Sequence, residues 1–340
     1  MKHSTEMTKT KDSSSNIAFS SFDRQCTTFI KGLAIMLMVC HHMWAFRSVG
    51  DFTGVWGGKI AEALIALGKA GKICVAIFTF ISGYGIYLSF GRHKSYKRIA
   101  CKIKTVLFHF WRTVLPVLII LFITGIMPFN IVDFLKNMFC ISSSYNGSWW
   151  YLQTYILFLV FSPVFYLLVR NKFSAIILAA VSMTLFRYWA YQLPVNFLYY
   201  FLYYAPFFVI GAIFARFDLF RKLTSADHGT LLLAVYVGAT IILMVLRMAT
   251  GCTEILFLLM PCFMLAFVQK SMPDVVLTRS VIFLGKYSMG IWLLHSFFIR
   301  QIPLQSVTSN CLLHFIMIFG ISLAITFVIE KANKKVFHNV

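Results

Sequence analysis

Two ionisable side chains, Lys31 and His42, lie within one apolar stretch that covers residues 29–44. They are eleven residues apart, which at about 100° per residue is roughly three helical turns plus 20°. Both side chains therefore lie on one stripe of a helix, about 16 Å apart along its axis. Ionisable groups are costly inside a bilayer and are functional candidates wherever they occur there. A cation and a titratable imidazole on one face predict a site that binds an anion at one level and moves a proton at another.

A second apolar segment, 284–295, also carries polar groups on one face. Ser288 and His295 are seven residues apart and so share a face of that helix. His295 lies about as deep from one membrane surface as His42, so we expect the two imidazoles to open into one polar cavity. The alternative is that Ser288 and His295 are unrelated polar groups that pack helices together. His41 points about 100° away from His42 and cannot take every role of its neighbour.

The elements that must position these residues are membrane-spanning helices. Of the 340 residues, 59% are hydrophobic and only 12% are charged, whereas about a quarter of the residues of a soluble domain are charged. Long apolar blocks are typical of helices that cross a membrane. We therefore predict an all-α, polytopic membrane helical bundle of about ten transmembrane helices. The candidate spans cover residues 28–47, 73–91, 105–127, 149–169, 173–190, 197–215, 230–247, 254–269, 281–300 and 311–329.

The distribution of Lys and Arg predicts that both termini are cytoplasmic. With the N-terminus inside, 22 of the 31 cationic residues fall on the inner side and 8 on the outer side. The first outer segment runs against this bias, because it alone carries four cations. We attribute the net charge of +20 to topology and expect no nucleic-acid partner. Residues 1–21 are expected to be a disordered cytoplasmic tail, 22–330 the membrane domain and 331–340 a basic cytoplasmic tail.

Three further positions are candidates for contact with substrates. Ser82 lies in the small-residue segment 80–85, for which close helix packing is the alternative role. Arg112 is an arginine within a span and requires an anionic or carbonyl partner, and with Lys31 it predicts a phosphate-binding face. Trp149 follows a polar outer loop, where an aromatic ring serves either as an interface anchor or as a surface for sugar stacking.

The cysteines and the common catalytic motifs give no sign of metal or nucleotide chemistry. The eight cysteines form no CxxC pair and show no metal-like spacing with histidine, so we predict small buried side chains and no metal site. A disulfide among Cys140, Cys252 and Cys311, which fall near outer loops, stays open. The sequence contains no P-loop, dinucleotide fingerprint or G-x-S-x-G elbow.

A short segment at 60–67 is expected to be an interfacial helix.

In order and spacing, these motifs resemble the acyltransferase-3 family of multispan membrane O-acyltransferases over about residues 22–330. The family more often has arginine where this chain has Lys31, so the charge is kept but the planar fork for bidentate phosphate binding is lost. The matching segments are Lys31-Gly32 followed by His42, then 69–85, Arg112 with Pro116, 149–163, 206–211 and 284–295.

The resemblance implies transfer of an acyl group, commonly acetyl, from cytoplasmic acyl-CoA to a hydroxyl of an extracytoplasmic or lipid-linked glycan. It implies His42 as the catalytic residue, either as general base or as covalent acyl relay, and Lys31, joined by Arg112, as contacts for the donor. Substrate contacts are expected from Ser82, Trp149, Ser288 and His295.

The expected partners are acyl-CoA, the glycan acceptor and membrane lipid, and the expected location is the bacterial cytoplasmic membrane. Two other function classes stay open on the sequence. One is a transporter or flippase for an anionic or lipid-linked solute, which needs many spans and buried cations but no chemistry. The other is a structural component of a glycan-assembly complex.

Overall fold

The computed structural model describes residues 16–17, 22–52, 58–194, 196–224, 229–268, 272–273, 275–302 and 310–337. Within them the chain is almost wholly helical, which confirms the predicted all-α class. The only strands in this part are β1 (Asn16–Ile17) and β2 (Met272–Pro273), which pair with each other in antiparallel register. The rest of the expected N-terminal tail lies outside the described residues.

Fifteen α-helices make up the described part of the chain, joined by short turns. They are α1 (Arg24–Trp44), α2 (Gly58–Ala70), α3 (Ile73–His93), α4 (Tyr96–Ile123), α5 (Ile131–Met138), α6 (Trp150–Val160), α7 (Ser162–Leu168), α8 (Lys172–Val181), α9 (Arg187–Gln192), α10 (Phe197–Phe217), α11 (Leu219–Leu223), α12 (Gly229–Thr250), α13 (Leu256–Val268), α14 (Val276–Arg300) and α15 (Cys311–Phe337). A π-helical turn at Ser182–Phe186 joins α8 to α9, and a 3-10 turn at Gly147–Trp149 leads into α6.

Eight helical segments of the described chain are long and apolar enough to cross a membrane. The pair formed by α6 and α7, bent by 55°, makes a ninth, and α13 is apolar but has only 13 residues. Each of the ten predicted spans falls on one of these segments, so the polytopic membrane bundle is confirmed. The predicted interfacial segment at 60–67 is likewise helical, within α2.

The helix ends differ from the predicted ones where charged residues continue a helix. α4 begins at Tyr96 rather than near 105, because the Lys and Arg residues before its apolar part are good helix formers. For the same reason α15 continues to Phe337, so the expected C-terminal tail starts inside a helix. All eight cysteines lie in the described part and are free thiols, and three of them are buried: Cys26, Cys40 and Cys74.

Helix α1 begins with a side-chain cap and packs tightly against α14. Asp23 accepts a hydrogen bond from the backbone N–H of Cys26 at 2.7 Å, which satisfies one free donor of the first turn. Further along, a Cβ at Gly32 would clash with the carbonyl oxygen of Val281. A Cβ at Gly285 would clash in the same way with the carbonyl oxygen of Thr28. The two helices therefore approach as closely as small-residue interfaces in membranes allow.

Helices α3 and α10 make a second contact of this kind. Cβ atoms at Gly83 and Gly211 would clash with the carbonyl oxygens of Phe208 and Phe80. Close helix packing, the alternative role predicted for the segment 80–85, is therefore seen at Gly83. A Cβ at Gly85 would meet nothing within 4 Å. The two contacts fix α1, α3, α10 and α14 as the centre of the bundle.

The chain enters and leaves the bundle at the same end. Phe315, near the start of α15, contacts Trp44 at the end of α1, with ring centroids 5.0 Å apart. Phe327, towards the other end of α15, contacts Phe283 near the start of α14, with centroids 6.3 Å apart. We call the end where α1 begins and α15 ends the Lys31 end, and the opposite end the His42 end.

Replacing Gly285 by alanine should separate α1 from α14. The new methyl group has no space at the carbonyl of Thr28, and overpacking of this kind costs about 1–3 kcal/mol. We expect Gly285→Ala to lower the thermal unfolding midpoint of the detergent-purified protein. The matched control is Gly238→Ala on α12, where a Cβ meets nothing within 4 Å and the midpoint should hold. Equal midpoints for the two variants would contradict the close contact.

Candidate active site

His42 on α1 and His295 on α14 are joined by a direct hydrogen bond. The Nδ1 atom of His42 lies 2.6 Å from the Nε2 atom of His295. The ring planes differ by 7° and the ring centroids are 4.9 Å apart. Parallel rings whose nitrogens approach this closely cannot be stacked face to face, so they meet edge to edge in nearly one plane. This is the geometry in which one imidazole N–H donates to the lone pair of the next.

The backbone of α14 decides which nitrogen carries each proton. The Nδ1 atom of His295 lies 2.8 Å from the carbonyl oxygen of Trp292 and 3.2 Å from that of Ile291. Because a carbonyl can only accept, this Nδ1 carries the proton and the Nε2 atom of the neutral ring is an acceptor. His42 then donates from Nδ1, and its Nε2 keeps a free lone pair. The hydrogen-bond network thus assigns to His42 the tautomer that a base or a nucleophile requires.

Two serines extend this network to the polar loop before α6. The hydroxyl of Ser296 lies 3.3 Å from Nε2 of His295 and 2.5 Å from the hydroxyl of Ser148. The indole N–H of Trp292 donates to the carbonyl oxygen of Ser148 at 3.2 Å. These bonds fix the loop onto α14, at the level of the histidine pair.

His42 lines a cavity of about 360 Å³, which we call the histidine cavity. Its wall is dominated by aromatic side chains, two of which, Trp150 and Tyr200, lie almost parallel with ring centroids 3.8 Å apart. The residues around it are Met38, His41, His42, Lys72, Cys74, Val75, Phe78, Ser148, Trp150, Tyr151, Tyr199, Tyr200, Tyr203, Tyr204 and Trp292. A cavity with amphipathic rings and a few polar groups is typical of a small-molecule site.

A second cavity of about 200 Å³, the lysine cavity, lies nearer the Lys31 end. Lys31, Ser82 and Ser288 supply its polar groups, and the rest of its wall is apolar or aromatic. Four side chains belong to both cavities: Met38, Phe78, Tyr151 and Trp292. The two cavities therefore meet at a wall formed by these four side chains, between Lys31 and His42 in the interior of the bundle.

Four of the seven residues predicted from the sequence line these cavities. They are Lys31, His42, Ser82 and Ser288. The expectation that both histidines open into one cavity holds for His42 alone, because His295 is fully buried and lines neither cavity. His295 is linked to the cavity through hydrogen bonds, directly to His42 and through Ser296 to Ser148. Within the described residues, no group of three or more His, Cys, Asp or Glu could hold a metal ion.

Trp149 lines neither cavity, whereas its neighbour Trp150 lines the histidine cavity. Trp149 is 2% exposed, and it packs edge-on against Phe110 and Phe297 with centroids 4.9 and 5.7 Å away. Its indole N–H donates to the carbonyl oxygen of Leu293, so the ring anchors the loop rather than facing a cavity. Trp150 is the ring that faces the histidine cavity.

Arg112 lines neither cavity. Its Nη2 lies 3.2 Å from Nδ1 of His109, one turn earlier on α4, and its guanidinium lies over the ring of Phe108 at 5.8 Å. His109 is neither the anionic nor the carbonyl partner expected from the sequence, and Arg112 does not share a cavity with Lys31. Arg112 as a contact for the donor stays a prediction without support from its position.

Sequence reasoning missed the tyrosines of α10. Tyr199, Tyr200, Tyr203 and Tyr204 recur at intervals that place them on one side of a helix. Tyrosine has a polar tip on an apolar ring, and such a face is a signal for a polar cavity between helices. The signal was in the sequence, but an aromatic-rich span end is also typical of a membrane interface.

The fold and the site define a multi-pass helical membrane protein with a tautomer-fixed imidazole in one internal cavity and a lysine in the cavity beside it. The acyltransferase-3 family model, described as an acyltransferase domain, matches residues 26–331. The chain belongs to this family and is a membrane acyltransferase. Neither the comparison with curated proteins nor that with solved structures finds a significant match.

The tautomer of His42 can be measured without an activity assay. In the protein labelled with ¹⁵N-histidine, we expect His42 to show a protonated Nδ1 and an unprotonated Nε2, with its signals assigned by loss in His42→Gln. His295→Phe removes the acceptor, so the Nε2–H tautomer of His42 should gain population. A His42 ring protonated at Nε2 in the parent protein, or one that is unchanged by His295→Phe, would contradict the assignment.

Proposed function

We propose that the protein transfers an acyl group, commonly acetyl, from acyl-CoA to a hydroxyl of an extracytoplasmic or lipid-linked glycan, with His42 at the reacting centre. The observation that carries this proposal is the meeting of the two cavities, one with Lys31 and the other with His42. A donor entering at the Lys31 end and an acceptor entering at the His42 end would reach each other at the shared wall.

The lysine cavity suits the pantetheine arm of the donor better than its nucleotide. Its volume of about 200 Å³ and its largely apolar wall fit a narrow chain. The hydroxyls of Ser82 and Ser288 donate to the carbonyl oxygens of Phe78 and Gly285 at 2.7 and 3.0 Å, so their oxygens can accept from amide N–H groups. The phosphates would then lie with Lys31 and with exposed cations of the same end.

Those cations are contributed by the start of α1, the end of α3, the start of α4 and the turn between α3 and α4. They are Arg24, Arg92, Lys94, Lys97 and Arg98, all exposed. The bias of Lys and Arg towards this end supports its assignment to the cytoplasm, where acyl-CoA is available. We accordingly assign the protein to the bacterial cytoplasmic membrane, with the His42 end facing outwards.

The free Nε2 of His42 would act as general base. It takes the proton of the glycan hydroxyl while the oxygen attacks the carbonyl carbon of the thioester. As the new C–O bond forms, the C–S bond breaks, and the leaving CoA thiolate takes the proton back from the imidazolium. During the step, the hydrogen bond from Nδ1 to His295 holds the ring in place and shares its positive charge. In the relay alternative, the same Nε2 attacks the thioester carbon, the C–S bond breaks and the CoA thiolate leaves; the glycan oxygen then attacks the acyl group, the C–N bond breaks, and the hydroxyl proton goes to the thiolate.

Removing the imidazole should abolish acylation without unfolding the protein. General-base assistance contributes roughly 10²–10⁴-fold, so we expect His42→Ala to drop transfer below detection. The measurement uses membranes, radiolabelled acetyl-CoA and the glycan fraction of the host. His314→Gln, on α15 outside both cavities, is the control for loss of a histidine. Normal labelling by inserted His42→Ala would refute the assignment.

Acid quenching of the same reaction without acceptor separates the two routes. A label held on the protein and absent from His42→Gln indicates the acyl relay. No label on the protein in this reaction, together with label on the glycan when the acceptor is present, indicates the general-base route.

Lys31→Ala should weaken the binding of the acyl donor rather than slow the transfer step. A hydrogen bond to a charged group contributes about 1.5–3 kcal/mol, so the KM for acetyl-CoA should rise by roughly tenfold or more with little change in kcat. Lys31→Arg keeps the charge and should keep the KM. Lys59→Ala removes an exposed cation of α2 that lines neither cavity and serves as the control. An unchanged KM for Lys31→Ala would show that the phosphates bind elsewhere.

A further inference from the structure

A third cavity, of about 680 Å³, opens beside the histidine cavity at the His42 end. We call it the vestibule. It shares His41 and Lys72 with the histidine cavity, so it forms an approach to His42. Its charged lining consists of Glu62, Lys69, Lys72 and Arg247. Cations exceed anions on this approach.

Arg247, near the end of α12, is a buried cation with little compensation. Its side chain is 8% exposed, and its Nε has no hydrogen-bond partner. Within the described part of the chain, its one hydrogen bond runs from Nη1 to the carbonyl oxygen of Lys69, at the long distance of 3.4 Å. Among the ion pairs of the described residues, none includes Arg247. A buried guanidinium without a counter-charge is costly unless another group supplies one.

Arg187, which lies nearby at the same end, differs from Arg247 in having a counter-charge, although its own Nε and Nη1 also lack hydrogen-bond partners in the described part of the chain. It is 3% exposed, and its Nη2 donates to Glu254 at 2.5 Å and to Thr253 at 2.8 Å. Its guanidinium also lies over the ring of Tyr203, 3.8 Å from the centroid. Partial burial raises the pKa of Glu254, but hydrogen bonds from Cys252 and Arg187 outweigh burial and leave the pKa below its ordinary value. The charge of Arg187 is therefore balanced inside the protein.

The vestibule has no equivalent of Glu254 for Arg247. Glu62 is the one acidic residue in its lining, and Glu62 is exposed and forms no ion pair with Arg247 in the described part of the chain. Lys69 and Lys72 add two exposed cations. The unbalanced charge thus belongs to the approach to His42 itself.

We propose that Arg247 and Lys72 bind an anionic group of the acceptor, so that the glycan acylated at His42 is an acidic saccharide. The inference rests on the proposed function and adds the chemical class of its acceptor. The anionic group is a carboxylate, as in a uronate, or a phosphate. The planar fork of Arg247 suits either one, because two parallel N–H groups match two oxygens, and Lys72 adds a point charge.

The histidine cavity and the vestibule lie side by side, so one acceptor could place its sugar ring in the first and its charged group in the second. Aromatic side chains, among them Tyr151 and the stacked pair Trp150 and Tyr200, line the cavity beside His42 and give a sugar ring an amphipathic wall to pack against. Lys72 lines both this cavity and the vestibule. A sugar held against the aromatic wall would thus keep a hydroxyl at His42 while its charged group reaches Lys72 and Arg247.

A binding experiment on the detergent-purified full chain tests the proposal without any chemistry. The probes are methyl glucuronide, its neutral counterpart methyl glucoside, and glucose 6-phosphate, titrated at low salt with tryptophan fluorescence as the readout. We expect roughly tenfold tighter binding of the anionic probes, because hydrogen bonds to charged groups are the strong ones. The stronger of the two anionic probes identifies the group as carboxylate or phosphate.

Variants show whether the two cations are responsible. Arg247→Gln and Lys72→Gln should each remove most of the preference for the anionic probes, and Arg247→Lys should restore part of it. Lys59→Gln removes an exposed cation outside the three cavities and should leave the preference intact. Equal binding of neutral and anionic probes, no saturable binding of either anionic probe, or a preference that survives Arg247→Gln would each overturn the proposal.

A parallel assay in membranes keeps this outcome apart from that of the proposed function. Arg247→Gln should raise the KM for the native glycan and leave kcat and the KM for acetyl-CoA unchanged. Transfer that requires His42 but is unchanged by Arg247→Gln would overturn only the proposal that the acceptor is acidic. Absence of transfer in the parent protein overturns the acyltransferase proposal, while the binding preference is still read from the titrations.

Discussion

The hydrogen bond between Nδ1 of His42 and Nε2 of His295 is the interaction on which the site depends. A neutral imidazole has one donor and one acceptor, so a chain of two rings has a direction. The carbonyl of Trp292 sets that direction, because it can accept only from His295. The free lone pair then appears at the far end of the chain, on the ring that faces the cavity. In a site with few carboxylates, backbone carbonyls take the place of the aspartate that usually orients a histidine.

This bond requires α1 and α14 to lie at one fixed distance. A nitrogen–nitrogen separation of 2.6 Å leaves little tolerance for movement between helices. The clash that any Cβ would make at Gly32 and Gly285 shows that the backbones themselves are in contact. Lipid supplies no hydrophobic force between helices, so close packing of small residues must do this work. The same packing leaves the space between α1, α3 and α10 for the cavities, which share a wall of Met38, Phe78, Tyr151 and Trp292.

Much of this arrangement follows from the sequence, because helical periodicity and membrane thickness are strict rules. They gave the ten spans, the common face of Lys31 and His42, and the equal depth of His295. They could not say which of two adjacent tryptophans faces inwards, because the 3-10 turn at Gly147–Trp149 and its bonds to α14 set the rotation of α6. They also could not pair Arg112 with His109 or reveal that Arg247 lacks a counter-charge, because both depend on what the neighbouring helices supply.

The four cations of the predicted first outer segment bear both on the predicted topology and on the proposed binding of an anion. Four cations on that side run against the bias of Lys and Arg that otherwise orients the chain. Two of them, Lys69 and Lys72, line the vestibule beside Arg247. An orientation rule counts charges and does not ask what they bind, so cations that bind a ligand would count against the predicted topology. The exception to the rule thus marks the same surface that the burial of Arg247 marks independently, and the two observations agree on where a negative charge would be held.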